Sequence, residues 1–431
     1  MQLSLQGSWM ARPSGISLIL DDIARAVASG GDWLNLSAGN PARIPEVTRF
    51  WQQQYEGAVA RDFAGTCCQY GPARGSDHLV DAIVSYFRQR YQWEICADNV
   101  IVGPGSQLLC FIAAAAFTGR SGHTSRPIVL PSVPEYTGYQ GLPLGDGGVL
   151  GTDSTIEQLG QRRFRYVLDV DAVRRQQQMG MLLLSSPANP TGRDISADEQ
   201  SALADIAAER DIPLVIDHAY GQPFPLISDC ATPPVFHPHV INCFTFSKIG
   251  IPGERLGFAI GPPAAIAAMV AFLANCALHA PRLPQAVATR ALESGQLDAL
   301  ARTFITPYYR AKRLLAEDLL GQYLPASVSW HLHSGAGGMF CWLWIDEPWF
   351  DDLEFTGALR RRKVLVVPGR YFFVPDRHSP ARQAHETQCF RISLSVDDAA
   401  MAEGIRQIGA ALREVESAQH VSRISASSRS V

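Results

Sequence analysis

The apolar positions of this chain change rhythm three times, and each rhythm predicts a different kind of structure. At the start they recur three and four residues apart, over residues 14–27, 45–61 and 76–91, which places them on one face of successive helices. Between these lie a short strand candidate at 33–36 and two turns, Gly39-Asn40-Pro41 and Tyr70-Gly71-Pro72-Ala73-Arg74-Gly75. From residue 99 onward, short continuous apolar runs alternate with helical stretches. Residues 99–102, 127–130, 181–185, 213–216, 240–245 and 256–260 read as strands; 106–117, 196–210 and 263–274 read as helices. Strands that are apolar on both faces belong between helix layers, so this part predicts an α/β domain with a parallel or mixed sheet. A long helix at 303–320 then leads to strand candidates at 328–332, 339–345, 364–368 and 391–394, closed by a helix at 397–416. That order predicts a second, smaller α+β domain. Residues 144–165 are glycine-rich and polar and read as a surface excursion, and the serine-rich tail after 418 reads as disordered.

Composition narrows the function classes. The 431 residues are 47% hydrophobic, enough for one large core and a lesser one. A net charge of -4 gives no basic surface for nucleic acid. Nine cysteines, an odd number without a CxxC pair, predict reduced thiols and a cytoplasmic protein. No stretch of about 18 apolar residues is present, and the first ten residues lack a basic-then-apolar leader, so neither a membrane span nor secretion is expected.

The candidate chemistry sits where the predicted strands end, which is where open α/β sheets bind ligands. The run 240–246 delivers Lys248 into the turn Ser247-Lys248-Ile249-Gly250-Ile251-Pro252-Gly253-Glu254-Arg255. Desolvation beside other cations frees a lysine's lone pair for imine formation. Thr245, Ser247 and Arg255 add two hydroxyls and a guanidinium fork suited to a phosphate. Gly103-Pro104-Gly105-Ser106-Gln107 aims the amides of Ser106 and Gln107 from a helix N-terminus. Asp217 closes a second strand, with Ala219 and Tyr220 beyond it, and Asn189 follows a third. A carboxylate can keep a pyridine nitrogen protonated while Asn189 and Tyr220 donate to a ring oxygen, and Tyr136 can cover a ring face. Taken singly, each has a plain alternative: Lys248 a solvated strand end, Asn189 an Asx turn, Asp217 and Ser106 helix caps, Tyr136 a core aromatic, Arg391 a surface ion pair.

Together, Asn189-Pro190-Thr191-Gly192, Asp217-His218-Ala219-Tyr220, Ser247-Lys248 with Arg255, Tyr70-Gly71-Pro72, Pro134-Glu135-Tyr136 and Arg391-Ile392-Ser393 resemble the fold type I, class I/II, pyridoxal-phosphate-dependent aminotransferases, over nearly the whole chain. The resemblance implies a large domain with a mixed, mostly parallel seven-stranded sheet covered by helices. It divides the chain into an N-terminal segment (1–48) packing on the small domain and a partner subunit, a large cofactor-binding domain (49–305), a small α+β domain (306–418) and the tail (419–431). It implies that Lys248, Asp217 and Tyr220 are catalytic. Ser106, Gln107, Thr245, Ser247 and Arg255 would hold the cofactor, with Tyr136, Asn189, Asp217, Ala219 and Tyr220 about its ring and Tyr70 reaching the phosphate of the other subunit of a homodimer. Arg391, with Gly39 and Asn189, would take the substrate carboxylate. The implied reaction moves the α-amino group of valine or a similar neutral amino acid to pyruvate. The alternative is a PLP lyase or cyclase acting on a more polar amino acid. Three positions depart from the family pattern: His218, Glu254, and Arg282 in His279-Ala280-Pro281-Arg282.

Overall fold

The structure is a computed structural model that describes residues 1–144, 147–229, 231–374 and 380–427. Seven strands form the larger sheet: β1 (Val100–Gly103), β2 (Ile128–Val133), β3 (Val149–Asp153), β4 (Met181–Ser185), β5 (Leu214–Asp217), β6 (Val240–Thr245) and β7 (Gly257–Ile260), in the order β1-β7-β6-β5-β4-β2-β3. All neighbours are parallel except β7, which runs against both β6 and β1. Alternate residues serve opposite helix layers, as the two-residue period of a strand requires. Ile101, Val215, Ile241 and Ala259 pack with Leu109 and Ile112 of helix Ser106–Phe117 and with Met269 of helix Pro263–Ala277. On the other face Val100, Val102 and Phe244 meet Leu79, Ile83 and Phe87 of helix Asp77–Tyr91, and Leu214 and Ile216 meet Leu203 and Ile206 of helix Ala197–Glu209.

A second, six-stranded sheet has the order Val367–Pro368, Cys389–Ser393, Phe340–Ile345, Trp330–His333, Arg163–Val167 and Thr155–Gln158. Its last two strands correct the reading of 144–165 as a surface excursion: Val149–Asp153 is an edge strand of the large sheet, and the next two strands join the C-terminal sheet. Phe164 and Tyr166 are buried while Arg165 between them is exposed, a half-buried alternation too short to stand out among polar residues. Helices Thr306–Tyr323 and Asp398–Ser427 pack on each other. The final helix runs to Ser427, so residues 419–427 are helical where disorder was expected, and 428–431 lie outside the described residues. Strand Leu34–Asn35 pairs with Val364–Leu365 and ties the N-terminal segment to the C-terminal part. The described cysteines are all free thiols, Cys230 lies outside the described residues, and no described helix is long and apolar enough to cross a membrane.

Candidate active site

Strands β4, β5 and β6 are in register at their carboxyl ends, where Asp217 lies opposite Ser185 on one side and Cys243 on the other. Antiparallel β7 then folds the chain back so that Gly257 pairs with both Thr245 and Gly103. This return puts the 247–255 turn and the start of helix Ser106–Phe117 at the same edge. The turn itself is pinned from below. Phe246 stacks on Phe224 at 5.3 Å, and the Trp51 indole N–H donates to the Ile249 carbonyl at 2.8 Å. Gly250 has φ +122, and a Cβ there would fall 2.7 Å from Val47, so only glycine lets the turn close against that helix.

Lys248 therefore points into a cavity of about 410 Å³, where its Nζ donates to the Gly39 carbonyl at 2.8 Å. The side chain is half-buried and lines the cavity. Desolvation first, then Arg391 and Arg255, pull its pKa from 10.5 to about 8, against the opposing pull of Asp217. Far more of the amine is thus neutral at pH 7 than in an ordinary lysine. The rate at which the cofactor-free protein captures an aldehyde on Lys248, followed by borohydride trapping and mass analysis, should rise about tenfold per unit up to about pH 8 and level off above it. A rate still rising tenfold per unit at pH 10 would mean an ordinary surface lysine.

Asp217 is buried, and its carboxylate is half satisfied. Oδ2 accepts from the Tyr139 hydroxyl at 3.1 Å and from Ser106 Oγ at 3.3 Å, while Oδ1 is buried without a partner. Burial raises its pKa to about 6, with Tyr139, Ser106 and Lys248 opposing. The Ala219 N–H also favours the charged carboxylate, and a buried acceptor without a full hydrogen bond on a residue that lines the cavity is the complement of a ring N–H. Tyr136, Ala219 and Tyr220 line the same cavity, and Asn189 Nδ2 donates to the Tyr220 hydroxyl at 3.4 Å.

At the cavity's other end, Gly105 (φ +87) precedes the helix at Ser106, and a Cβ on it would sit 2.7 Å from Arg255 Nη2. Arg255 Nη1 donates to Ser247 Oγ at 3.3 Å, and Thr245 Oγ1 donates to Ser247 Oγ at 3.0 Å. Gln107 turns its side-chain amide to the Gly138 carbonyl, leaving only its backbone at the helix start. No described carboxylate pairs with Arg255 among the ion pairs of the structure. Helix N-terminus, hydroxyls and a guanidinium without a described carboxylate partner make a cradle whose chemistry suits a phosphate.

Arg391 sits at the third corner, buried over the Phe340 ring at 3.8 Å. Its Nη1 donates to Asn189 Oδ1 at 2.7 Å and Nη2 to the Ser37 carbonyl at 2.9 Å, while Nε has no partner. Burial lowers its pKa to about 10, and no described acidic group pairs with it. A buried cation without a counter-ion, open to a cavity, asks for an anion.

All of the expected site residues except Tyr70 line this one cavity. Tyr70 is 85% exposed, against His279 at a ring distance of 5.9 Å, with Arg282 donating to the neighbouring Gln69 carbonyl. His218 faces the core instead, stacked on Phe244 at 5.0 Å and bonded to Asn242 Oδ1 at 2.8 Å. Burial lowers its pKa to about 4, so it is neutral. Glu254 stands beside Tyr55 and does not line the cavity. The sequence reading missed Tyr139, whose spacing of three residues from Tyr136 in a 3-10 turn was the available signal. It also missed the wall formed by Ile16, Ile19, Leu20 and Ile23 of helix Gly15–Ala28, although their spacing marks a single face.

The sequence matches the family model of aminotransferase class I and II over residues 31–408. It is 30% identical over 411 residues to the valine–pyruvate aminotransferase of Escherichia coli, covering 94% of this chain and 97% of that one. Among solved structures, a putative amino-acid aminotransferase from Psychrobacter arcticum superposes with a TM-score of 0.92 at 29% identity, covering 97% of this chain and 99% of that one. The valine-pyruvate aminotransferase of Salmonella typhimurium superposes at 0.82 with 28% identity, covering 92% and 99%. A match of this extent, on a chain whose sheet edge carries the lysine, the half-satisfied aspartate and two anion-seeking arginines, makes it a member of the class I and II aminotransferases, pyridoxal-phosphate-dependent enzymes of fold type I.

Proposed function

We propose that this aminotransferase moves the α-amino group of valine or a similar neutral amino acid to pyruvate. The observation that carries the reading is Arg391: a buried guanidinium with no carboxylate partner shares its cavity with Lys248 and with an apolar wall. Arg391, with Asn189 and the Gly39 segment, takes the substrate α-carboxylate and thereby orients the α-carbon. Ile16, Ile19, Leu20 and Ile23 leave an apolar place for the side chain. The names of the E. coli and S. typhimurium relatives support the same donor and acceptor.

In this reading Ser106, Gln107, Thr245, Ser247 and Arg255 would hold the cofactor phosphate, and Asp217 would take the ring N–H. Asn189 and Tyr220 would bind the ring oxygen, and Tyr136 and Ala219 would hold the ring. Bound there, pyridoxal phosphate supplies an aldehyde carbon and an electron-withdrawing ring. Asp217 keeps the ring nitrogen protonated, and Lys248 Nζ removes and returns the proton at the substrate α-carbon as general base and acid. Exposed Tyr70, Phe63 and Leu278 suit a second copy of the chain, with Tyr70 reaching that copy's phosphate in a homodimer.

The test compares kcat/KM for valine, alanine, glutamate and a basic amino acid with pyruvate, in the parent and in Arg282→Ala. Valine should exceed alanine about tenfold, since two more methyl groups contribute about 0.8 kcal/mol each. Glutamate should fall about a hundredfold below valine, because its second carboxylate finds no free cation at the apolar wall. A parent that prefers glutamate and loses that preference in Arg282→Ala would overturn the reading and make Arg282 a substrate contact.

A further inference from the structure

Beside the site lies a second buried carboxylate that the chemistry above does not use. Glu135, 2% exposed, ends the segment after β2 and collects three donors. Its Oε1 accepts from Ser185 Oγ at 2.5 Å and from the Tyr136 N–H at 2.7 Å, and its Oε2 accepts from the Ser185 N–H at 3.0 Å. The Ser185 hydroxyl oxygen, whose hydrogen points to Glu135, also accepts from the Asn189 N–H at 3.2 Å. Asn189 in turn offers Oδ1 to Arg391 and Nδ2 to Tyr220. The backbone of Glu135 donates to the carbonyl of Phe372, whose ring lies 5.1 Å from the Arg391 guanidinium.

We propose that Glu135 is a positioning residue for the α-carboxylate clamp: through Ser185 its carboxylate sets the loop carrying Asn189, and so the pairing of Asn189 with Arg391. The inference rests on Arg391 and Asn189 being that clamp. Three converging donors need a group that only accepts, which is the ionised carboxylate and neither a glutamine nor a protonated acid. Burial opposes that charge and pushes its pKa up to about 7, while the bonds from Ser185 and Tyr136 draw it down. Where it is ionised, the buried carboxylate orders the groups that bond to it. Here those groups are the Tyr136 backbone and the Asn189 loop, two walls of one cavity.

Glu135→Gln keeps the shape but must turn an NH2 group toward one of the three donors, so the loop shifts to relieve the clash. In the holoenzyme, KM for the amino donor and for the oxo acid should rise about tenfold, and so should the Kd of 2-methylpropanoate, a carboxylate without an amine. The factor should be the same for valine and alanine, because the clamp reads the carboxylate, and kcat should change less than about threefold. Ser185→Ala should reproduce the rise, and the double variant should be no worse than the worse single variant, since both cut one chain of contacts. Unchanged KM and Kd in Glu135→Gln, a loss in kcat alone, or penalties that multiply in the double variant would each overturn the proposal. If Glu135→Gln does not fold, Ser185→Ala decides it by the same KM and Kd readings. The variant-to-parent ratio is taken on whichever donor the parent uses, so a parent that rejects valine overturns the functional reading and leaves this test intact.

Discussion

Lys248→Ala is expected to lower turnover by about ten-thousandfold or more while leaving the protein folded. The amine is assigned two tasks, holding the cofactor and moving the α-proton, and no other described amine lines the cavity to take over either. Structurally it is cheap to remove. Its one hydrogen bond is to the Gly39 carbonyl, and the space left opens to the cavity, where water can satisfy that oxygen. Melting temperature should therefore stay within a few degrees of the parent. The visible absorption band of the lysine-linked cofactor should disappear, and borohydride should no longer fix cofactor mass to the peptide carrying position 248. A small primary amine added to the variant should restore part of the rate, because the cavity then has room for it. Activity within tenfold of the parent, without added amine, would remove Lys248 from both tasks.

Asp217→Asn is expected to slow α-proton removal about a hundredfold to a thousandfold in a single half-reaction, read by rapid mixing with one amino acid. The substitution is isosteric, and Tyr139 and Ser106 can still donate to the remaining side-chain oxygen, so stability should change little. What changes is the group that would face the ring nitrogen in the proposed reading. A neutral amide gives no charge to hold the proton there, and without it the ring withdraws electrons poorly. Tyr139→Phe offers a graded comparison. It leaves the charge but frees Oδ2 of one donor, so its effect should be smaller than that of Asp217→Asn and larger than a fall in binding alone. An unchanged rate of proton removal in Asp217→Asn would return this residue to a purely structural place at the strand end.

Much of the site was legible because its groups sit where continuous apolar runs stop. Lys248, Asp217 and Asn189 each follow such a run, and parallel strands in register bring those ends together whatever the loops do. Arg391 was legible only through the family resemblance: it lies 136 positions beyond Arg255 in a different sheet, and its neighbours in sequence do not announce a ligand. Residues that act through others were the least visible. Glu135 reads as an ordinary charge between Pro134 and Tyr136, and nothing in its local pattern places Ser185, 50 residues away, against its carboxylate.

The chain by itself determined the alternation of buried strands and covering helices, because burial on both faces admits only apolar residues and that constraint is local. It likewise marked the turn after β6 by its glycines and its proline. Tertiary structure alone decided that residues 155–167 leave the large sheet for the small one, since a short half-buried strand pairs with whichever edge is near. It decided also that helix Gly15–Ala28 turns Ile16, Ile19, Leu20 and Ile23 to the cavity, with Ile19 packed on the core as well. The hydrophobic effect that drives such a face out of water is non-directional, so periodicity shows that a face will be covered, and only the packing of distant elements shows by what.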